Sequence, residues 1–212
     1  MNSTSDMERD AAPGLPGIGP AVMVETRLGP QPAEWLRPGD LLLTRDHGYR
    51  PLLWTGRSAT TGPGVVPPLH IPAGSLGTGV PEHDLTLSPG HHLLLRGPQV
   101  ALHFGEEEVL APARDIATGA GPAADMPLPP GHALCHLLTA EHELLLAEGI
   151  WLESLLPDPA ALDRFGPAAA AEIAAALGPA LATGQCARMV LRPGEAGVLH
   201  PRTAVATRRR AA

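Results

Sequence analysis

The tetrapeptide Ser88-Pro89-Gly90-His91 sets a hydroxyl and an imidazole three residues apart. In an unbroken strand those two side chains point to opposite faces. Pro-Gly breaks the alternation, so both can turn into one cavity. A hydroxyl and an imidazole acting together can polarise a peptide carbonyl and protonate a departing amide nitrogen, which is what opening an amide bond requires. The same four residues also describe a plain turn with Ser88 as its cap and His91 as a satisfied polar side chain, so the motif alone is a hypothesis.

Other reactive residue types offer less. His83, His91, His92, His103, His132, His136 and His142 crowd one stretch of the chain, but no H-E-x-x-H or comparable spacing links them, and no metal site or cofactor is expected. His91 and His92 are adjacent and alternate faces. With Thr139-Ala140 read as a two-residue hairpin loop, His136 and His142 also fall on opposite faces. Glu106–Glu108 reads as a solvated hairpin end. Cys135 sits in the apolar run "ALCHLL", where a thiol is ordinarily buried and inert. Gly74-Ser75 lacks the strand-turn-helix context of a nucleophile elbow.

Composition removes several function classes. All 15 basic residues are Arg, so amine nucleophiles, Schiff bases and a P-loop lysine are excluded. The formal net charge of −7 argues against a nucleic-acid partner. Three Trp, two Phe and one Tyr leave little for a stacking cleft. The two cysteines cannot form a multi-Cys zinc site. The polar, acidic start does not read as a signal peptide and no apolar run suits a membrane span. The expected location is cytoplasmic, with leaderless export left open.

The elements that must position Ser88 and His91 are short and turn-rich, because 24 Gly and 25 Pro do not fit into a helix bundle. Residues 1–19 read as a flexible lead. Strand signals follow in "AVMVET", in "LLLTR" and "YRPLLWTG" around an Asp46-His47-Gly48 turn, and in "LHIPAG". They continue in "DLTLS" and "HHLLLRG" on either side of Pro89-Gly90, and in "EEEVLAPARDI", which ends as a helical turn. "AEWL" reads as extended. "HALCHLL" and "EHELLLAEG" read as a hairpin. At Asp158-Pro159 the pattern changes to helix, interrupted by Gly166-Pro167 and closed by Gly178. The end, through Arg208-Arg209-Arg210, reads as at most a strand and a frayed tail. The division is therefore a lead over 1–19, a β domain over 20–157 and a helical extension with tail over 158–212.

Four of these segments, in order, resemble the Hint (hedgehog/intein) self-processing family, and most of all its bacterial branch. "VETRLGPQPAEWLRPGDLLLTRDHGYRPLLWTGR" is similar to the opening block, and "DLTLSPGHHLLLRG" to the block with a Thr/Ser-x-x-His element. "EVLAPARDIATG" and "CHLLTAEHELLLAEGIWLESLLP" are similar to two later blocks. The resemblance implies an all-β, horseshoe-like Hint fold with a short helical C-terminal extension. It also implies attack by a Cys or Ser side chain on the peptide bond before it. By the same resemblance His91 would assist the scissile amide, Ser88 would hydrogen-bond nearby, and Asp84 and His142 are further candidates for the cavity.

The departures are chemical. Counting back from Thr26, the family's nucleophile position falls on Gly17, which has no attacking atom. Ser3, Thr4 and Ser5, the nearest upstream hydroxyls, are more than ten residues away. Splicing ends in cyclisation of a C-terminal Asn, and the chain has no Asn after Asn2. Splicing is excluded, and at most residual self-cleavage is expected, without a turnover activity. The alternative is a non-catalytic binding or accessory module displaying the loops at 58–68 and 118–131. The expected partner is the chain's own N-terminal flanking segment or another protein.

Overall fold

A computed structural model describes residues 15–60, 65–119, 133–178, 185–200 and 204–208. The loops expected as contact surfaces lie partly outside these residues, as do Ser3, Thr4, Ser5, Arg209 and Arg210. The chain runs β1 (Met23–Thr26), β2 (Gly29–Pro32), a 3-10 turn (Ala33–Trp35), β3 (Leu41–Thr44), β4 (Gly48–Pro51) and β5 (Trp54–Ala59). Then come β6 (Leu69–Ile71), β7 (Leu85–Leu87), β8 (His92–Arg96), α1 (Pro98–Phe104), β9 (Glu108–Pro112) and α2 (Ala113–Gly119). The remainder is β10 (Ala133–Leu138), β11 (Leu144–Ala147), β12 (Ile150–Glu153), α3 (Pro159–Leu177) and β13 (Met189–Val190). The fold is all-β with a C-terminal helix.

The large sheet has the order β13-β9-β8-β12-β11-β1-β3-β4, with β2 beside β1. Strand burial follows the sequence. In β1 and β3 alternate residues turn inward, whereas β11 and β12 are buried at every position, β11 as an unbroken apolar run and β12 with Glu153 as its one polar residue. β4 is exposed throughout, and Arg50 and Pro51 blunt that outer strand against further pairing.

Two smaller ribbons, β6–β7 and β5–β10, lie beside this sheet. Ile18 joins them, bridging Leu87 of β7 on one side and Cys135 of β10 on the other. Of the lead, Gly17, Ile18 and Gly19 are buried between two strands. The expected tight hairpin at Thr139-Ala140 does not form. β10 pairs along its whole length with β5, from Ala133↔Ala59 to Leu138↔Trp54, while β11 pairs with β1, β3 and β12. Adjacent apolar runs look like hairpin partners locally, but each here has more to bury against a distant strand. "AEWL" also departs from the extended reading, and α1 lies in the connection between β8 and β9, whose antiparallel pairing ends at Arg96↔Glu108 with Glu106 and Glu107 exposed beside it.

α3 begins as its residues dictate. The Asp158 carboxylate accepts the Ala161 N–H at 2.7 Å, Pro159 opens the first turn, and Gly166 (φ 80°) with Pro167 kinks the helix. Its inner face, Ile173 and Leu177, packs on Trp54, Leu138 and Leu155. Beyond it the chain returns to the β domain: β13 runs parallel to β9, and Leu191, Ala196, Leu199 and Ala204 enter the main core. Among the described residues of this end, Ala204 and Ala206 are buried.

Leu87→Ala, in a fully buried position next to Ile18, should lower unfolding stability by about 2–5 kcal/mol, and Asp158→Ala by about 1 kcal/mol. Urea denaturation with unchanged m-values checks both.

Candidate functional site

The Pro16–Gly17 peptide is gripped on both sides. Gly17 donates its N–H to Ser88 Oγ at 3.0 Å, and its carbonyl accepts the Ser88 N–H at 2.9 Å. Ile18 exchanges both backbone hydrogen bonds with Cys135, at 2.8 and 3.0 Å, and Gly19 donates to the Thr86 carbonyl. The Pro16 carbonyl oxygen lies 2.7 Å from His136 Nδ1. A carbonyl only accepts, so Nδ1 carries the proton. Nε2, bare in the neutral ring, then accepts from the Ser58 hydroxyl at 2.8 Å. Phe165 of α3 meets the His136 ring edge-on at 4.8 Å between centroids.

The turn that carries Ser88 and His91 is fixed by backbone bonds. His91 N–H reaches back to the Ser88 carbonyl, while the Pro89 and His91 carbonyls accept from Arg114 and Ala113 at the start of α2. Ser88 and His91 are 4% and 3% exposed. The His91 ring lines a cavity of about 10 Å³ (the space open to the centre of a water-sized sphere) together with Pro16, Ile18, Cys135 and Glu153. That is room for about one water. Both His91 ring nitrogens are buried without a hydrogen-bond partner among the described residues.

Burial lowers the pKa of His91 to about 4, against the opposing pull of the Glu153 charge. Burial likewise lowers His136 to about 4, outweighing its bond to Pro16. Both rings are neutral at pH 7, so His91 is then a proton acceptor rather than the acid that an amide leaving group needs. Glu153 behaves oppositely. Burial would raise its pKa, but His92 and His142 hold it below the usual carboxylate range. Its Oε1 accepts from the His92 N–H at 2.8 Å and meets His92 Nδ1 at 2.7 Å; His142 Nε2 lies 3.4 Å from Oε2. Burial pushes the Cys135 thiol up, so this cysteine is no ready thiolate.

Of the residues singled out from sequence, Ser88 Oγ accepts the Gly17 N–H, and His91 lines the small cavity that Pro16 also lines. His142 stands one carboxylate away, its Nδ1 accepting the Ala187 N–H. Asp84 is exposed elsewhere, holding the Ala73 N–H at 2.9 Å and lying 3.6 Å from His70. Glu108, expected to be solvated, is half-buried. Burial works against its charge, yet Arg45 and Arg188 keep its pKa below the ordinary value. Sequence reasoning missed His136, Ser58 and Glu153. The signal for the first and last was a polar residue in an otherwise apolar strand, which at full burial must find a partner. Among the described residues, no set of three metal-ligating side chains lies at this cavity.

Gly17 itself leaves no room for a side chain. A Cβ there would stand 2.9 Å from Leu134 Cβ and 3.0 Å from His136 Cε1.

The two buried histidines make a pH prediction. Their folded pKa of about 4 lies below the model-peptide 6.5, so between these values the unfolded chain binds protons that the native one refuses. Stability should fall as pH drops from about 6.5 toward 4, and His91→Gln should flatten that slope. Paired Glu153 adds its own loss only below its ordinary pKa of 4.5. Denaturant titrations at stepped pH read the slope; equal slopes in wild type and variant would contradict the assignment.

A family model described as Hint domain matches residues 19–159. No curated protein and no solved structure matches the chain. The matched stretch runs from the Gly19 that leaves the gripped bond to the first turn of α3, and covers every strand except β13. The chain belongs to the Hint domain family.

Proposed function

We propose that this Hint domain, of the self-processing lineage, has kept its grip on the peptide bond before residue 17 and lost the attack on it. The upstream segment then stays covalently joined and is held as an internal strand, so the domain serves as an anchoring or accessory module rather than a protease. The observation that carries this reading is Gly17. It stands at the nucleophile position, and Leu134 and His136 occupy the space a nucleophilic side chain would need. An acyl shift transfers the Pro16 acyl group from the Gly17 nitrogen to a side-chain sulfur or oxygen at position 17, and glycine supplies neither. The polarising contacts remain: His136 donates to the Pro16 oxygen and Ser88 holds the Gly17 N–H. Polarisation without a nucleophile leaves hydrolysis to a single barrier, and neutral His91 does not supply the leaving-group proton at pH 7.

A reporter protein fused before the chain's own residues, followed by intact mass with and without thiol and hydroxylamine, should remain whole over days. Cleavage between Pro16 and Gly17 would overturn the reading. Gly17→Cys alone should also stay whole, because its Cβ meets Leu134 Cβ at 2.9 Å. Gly17→Cys/Leu134→Gly removes that atom and should gain thiol-dependent cleavage that His136→Ala abolishes.

A further inference from the structure

We propose that His47, Glu141 and Glu143 form a binding site for a divalent transition-metal ion of the zinc class. The site lies at a different place from the gripped peptide bond and stands independently of the function proposed above. His47 belongs to the β3–β4 turn and the two glutamates to the link between β10 and β11, so the three converge only in the fold. One donor atom from each lies within 4.8 Å of the other two. His47 Nδ1 stands 2.9 and 3.1 Å from the two Glu143 oxygens and 3.9 Å from Glu141 Oε2. Ligands about 2.0–2.2 Å from a tetrahedral zinc stand about 3.4 Å apart, so small side-chain rotations close this set around an ion. One imidazole and two carboxylates favour zinc-like ions over magnesium or calcium, which take oxygen donors.

A second observation points to a cation. The Glu143 side chain is only 3% exposed. Among the described residues its carboxylate meets His47 Nδ1 and, at the 4.0 Å limit of an ion pair, Arg50 Nε from a half-exposed side chain. A carboxylate has about four lone-pair positions, and one ring N–H answers few of them. Burying a charge with so few partners is unfavourable; a dication bound to it supplies the missing interaction. Two carboxylates against one arginine leave a net negative site for that ion.

The ligands are also set in advance. Glu143 N–H donates to Ser154 Oγ at 2.9 Å and its carbonyl accepts the Ser154 N–H at 2.8 Å. The Thr139 hydroxyl donates to the Glu141 carbonyl at 2.7 Å, and His47 N–H donates to Thr44 Oγ1 at 3.2 Å. Such outer contacts orient ligands and strengthen a site.

Titration of the full chain with zinc chloride, by calorimetry and by the thermal unfolding midpoint, tests this. Wild type should bind one equivalent with a rise in midpoint, and magnesium chloride should produce no rise at equal concentration. Glu141→Gln changes an exposed side chain outside the His47–Glu143 pair, and circular dichroism with the zinc-free unfolding midpoint checks that it and His47→Ala both still fold. Each should weaken zinc binding at least about tenfold, since losing even an outer-contact partner costs about 10–100-fold. His83→Ala, which alters a different exposed histidine paired with a buried glutamate, should bind as wild type does. Absence of saturable zinc binding, or wild-type affinity in both His47→Ala and Glu141→Gln, would overturn the proposal.

Discussion

The structure depends on the double hydrogen bond between Gly17 and Ser88, extended through Ile18 to Cys135. These few bonds insert the chain's early segment as a strand between two ribbons that do not otherwise pair in register. Everything at the candidate site follows from that insertion. It brings the Pro16 carbonyl to His136, delivers the Gly17 amide to Ser88, and closes the small cavity beneath His91. It also explains the glycine, because a strand packed this tightly against Leu134 and His136 has no place for a side chain at residue 17. The grip on the Pro16–Gly17 peptide and the glycine at residue 17 are therefore one packing solution.

Electrostatics reinforce it. Burial keeps His91 and His136 neutral while the neighbouring Glu153 is held charged by His92 and His142. A neutral His136 has one tautomer compatible with its surroundings, donating to Pro16 and accepting from Ser58. That tautomer makes the ring a fixed polariser of the carbonyl. Among the described residues, the two His91 ring nitrogens are buried without a hydrogen-bond partner, as are Arg114 Nε, His142 Nε2 and Trp151 Nε1. Orphaned buried polar atoms are rare in folded proteins and gather where a reaction once needed, or still needs, a free group.

Much of this was legible in the residues. The β3–β4 hairpin at Asp46-His47-Gly48, the break between β7 and β8 at Pro89-Gly90, and the passage from β9 into α2 all carry local signals of period and turn chemistry. Asp158-Pro159, Gly166-Pro167 and Gly178 mark the start, kink and end of α3 in the same way. What was not legible is partner choice. "HALCHLL" and "EHELLLAEG" look like two arms of one hairpin because a strand's sequence states its burial and not its neighbour. Once β10 pairs with β5 instead, the face that carries His136 is decided by Trp54 and Ser58, far away in sequence. The contacts of His136 were therefore beyond local reading, while the turn joining Ser88 and His91 by a backbone hydrogen bond was within it. The same holds for His47 and Glu143, whose meeting depends on a contact across the fold.

The inserted strand also constrains the order of assembly. Its two neighbours, Leu87 and Cys135, come from widely separated stretches that are synthesised long after residue 18. The early segment must wait, unpaired, until β7 and then β10 exist, and closing such long loops carries an entropic cost before any contact rewards it. The insertion of Ile18 between the two ribbons is therefore among the last contacts to form, and the Pro16–Gly17 bond beside it stays open to solvent and to proteases until then.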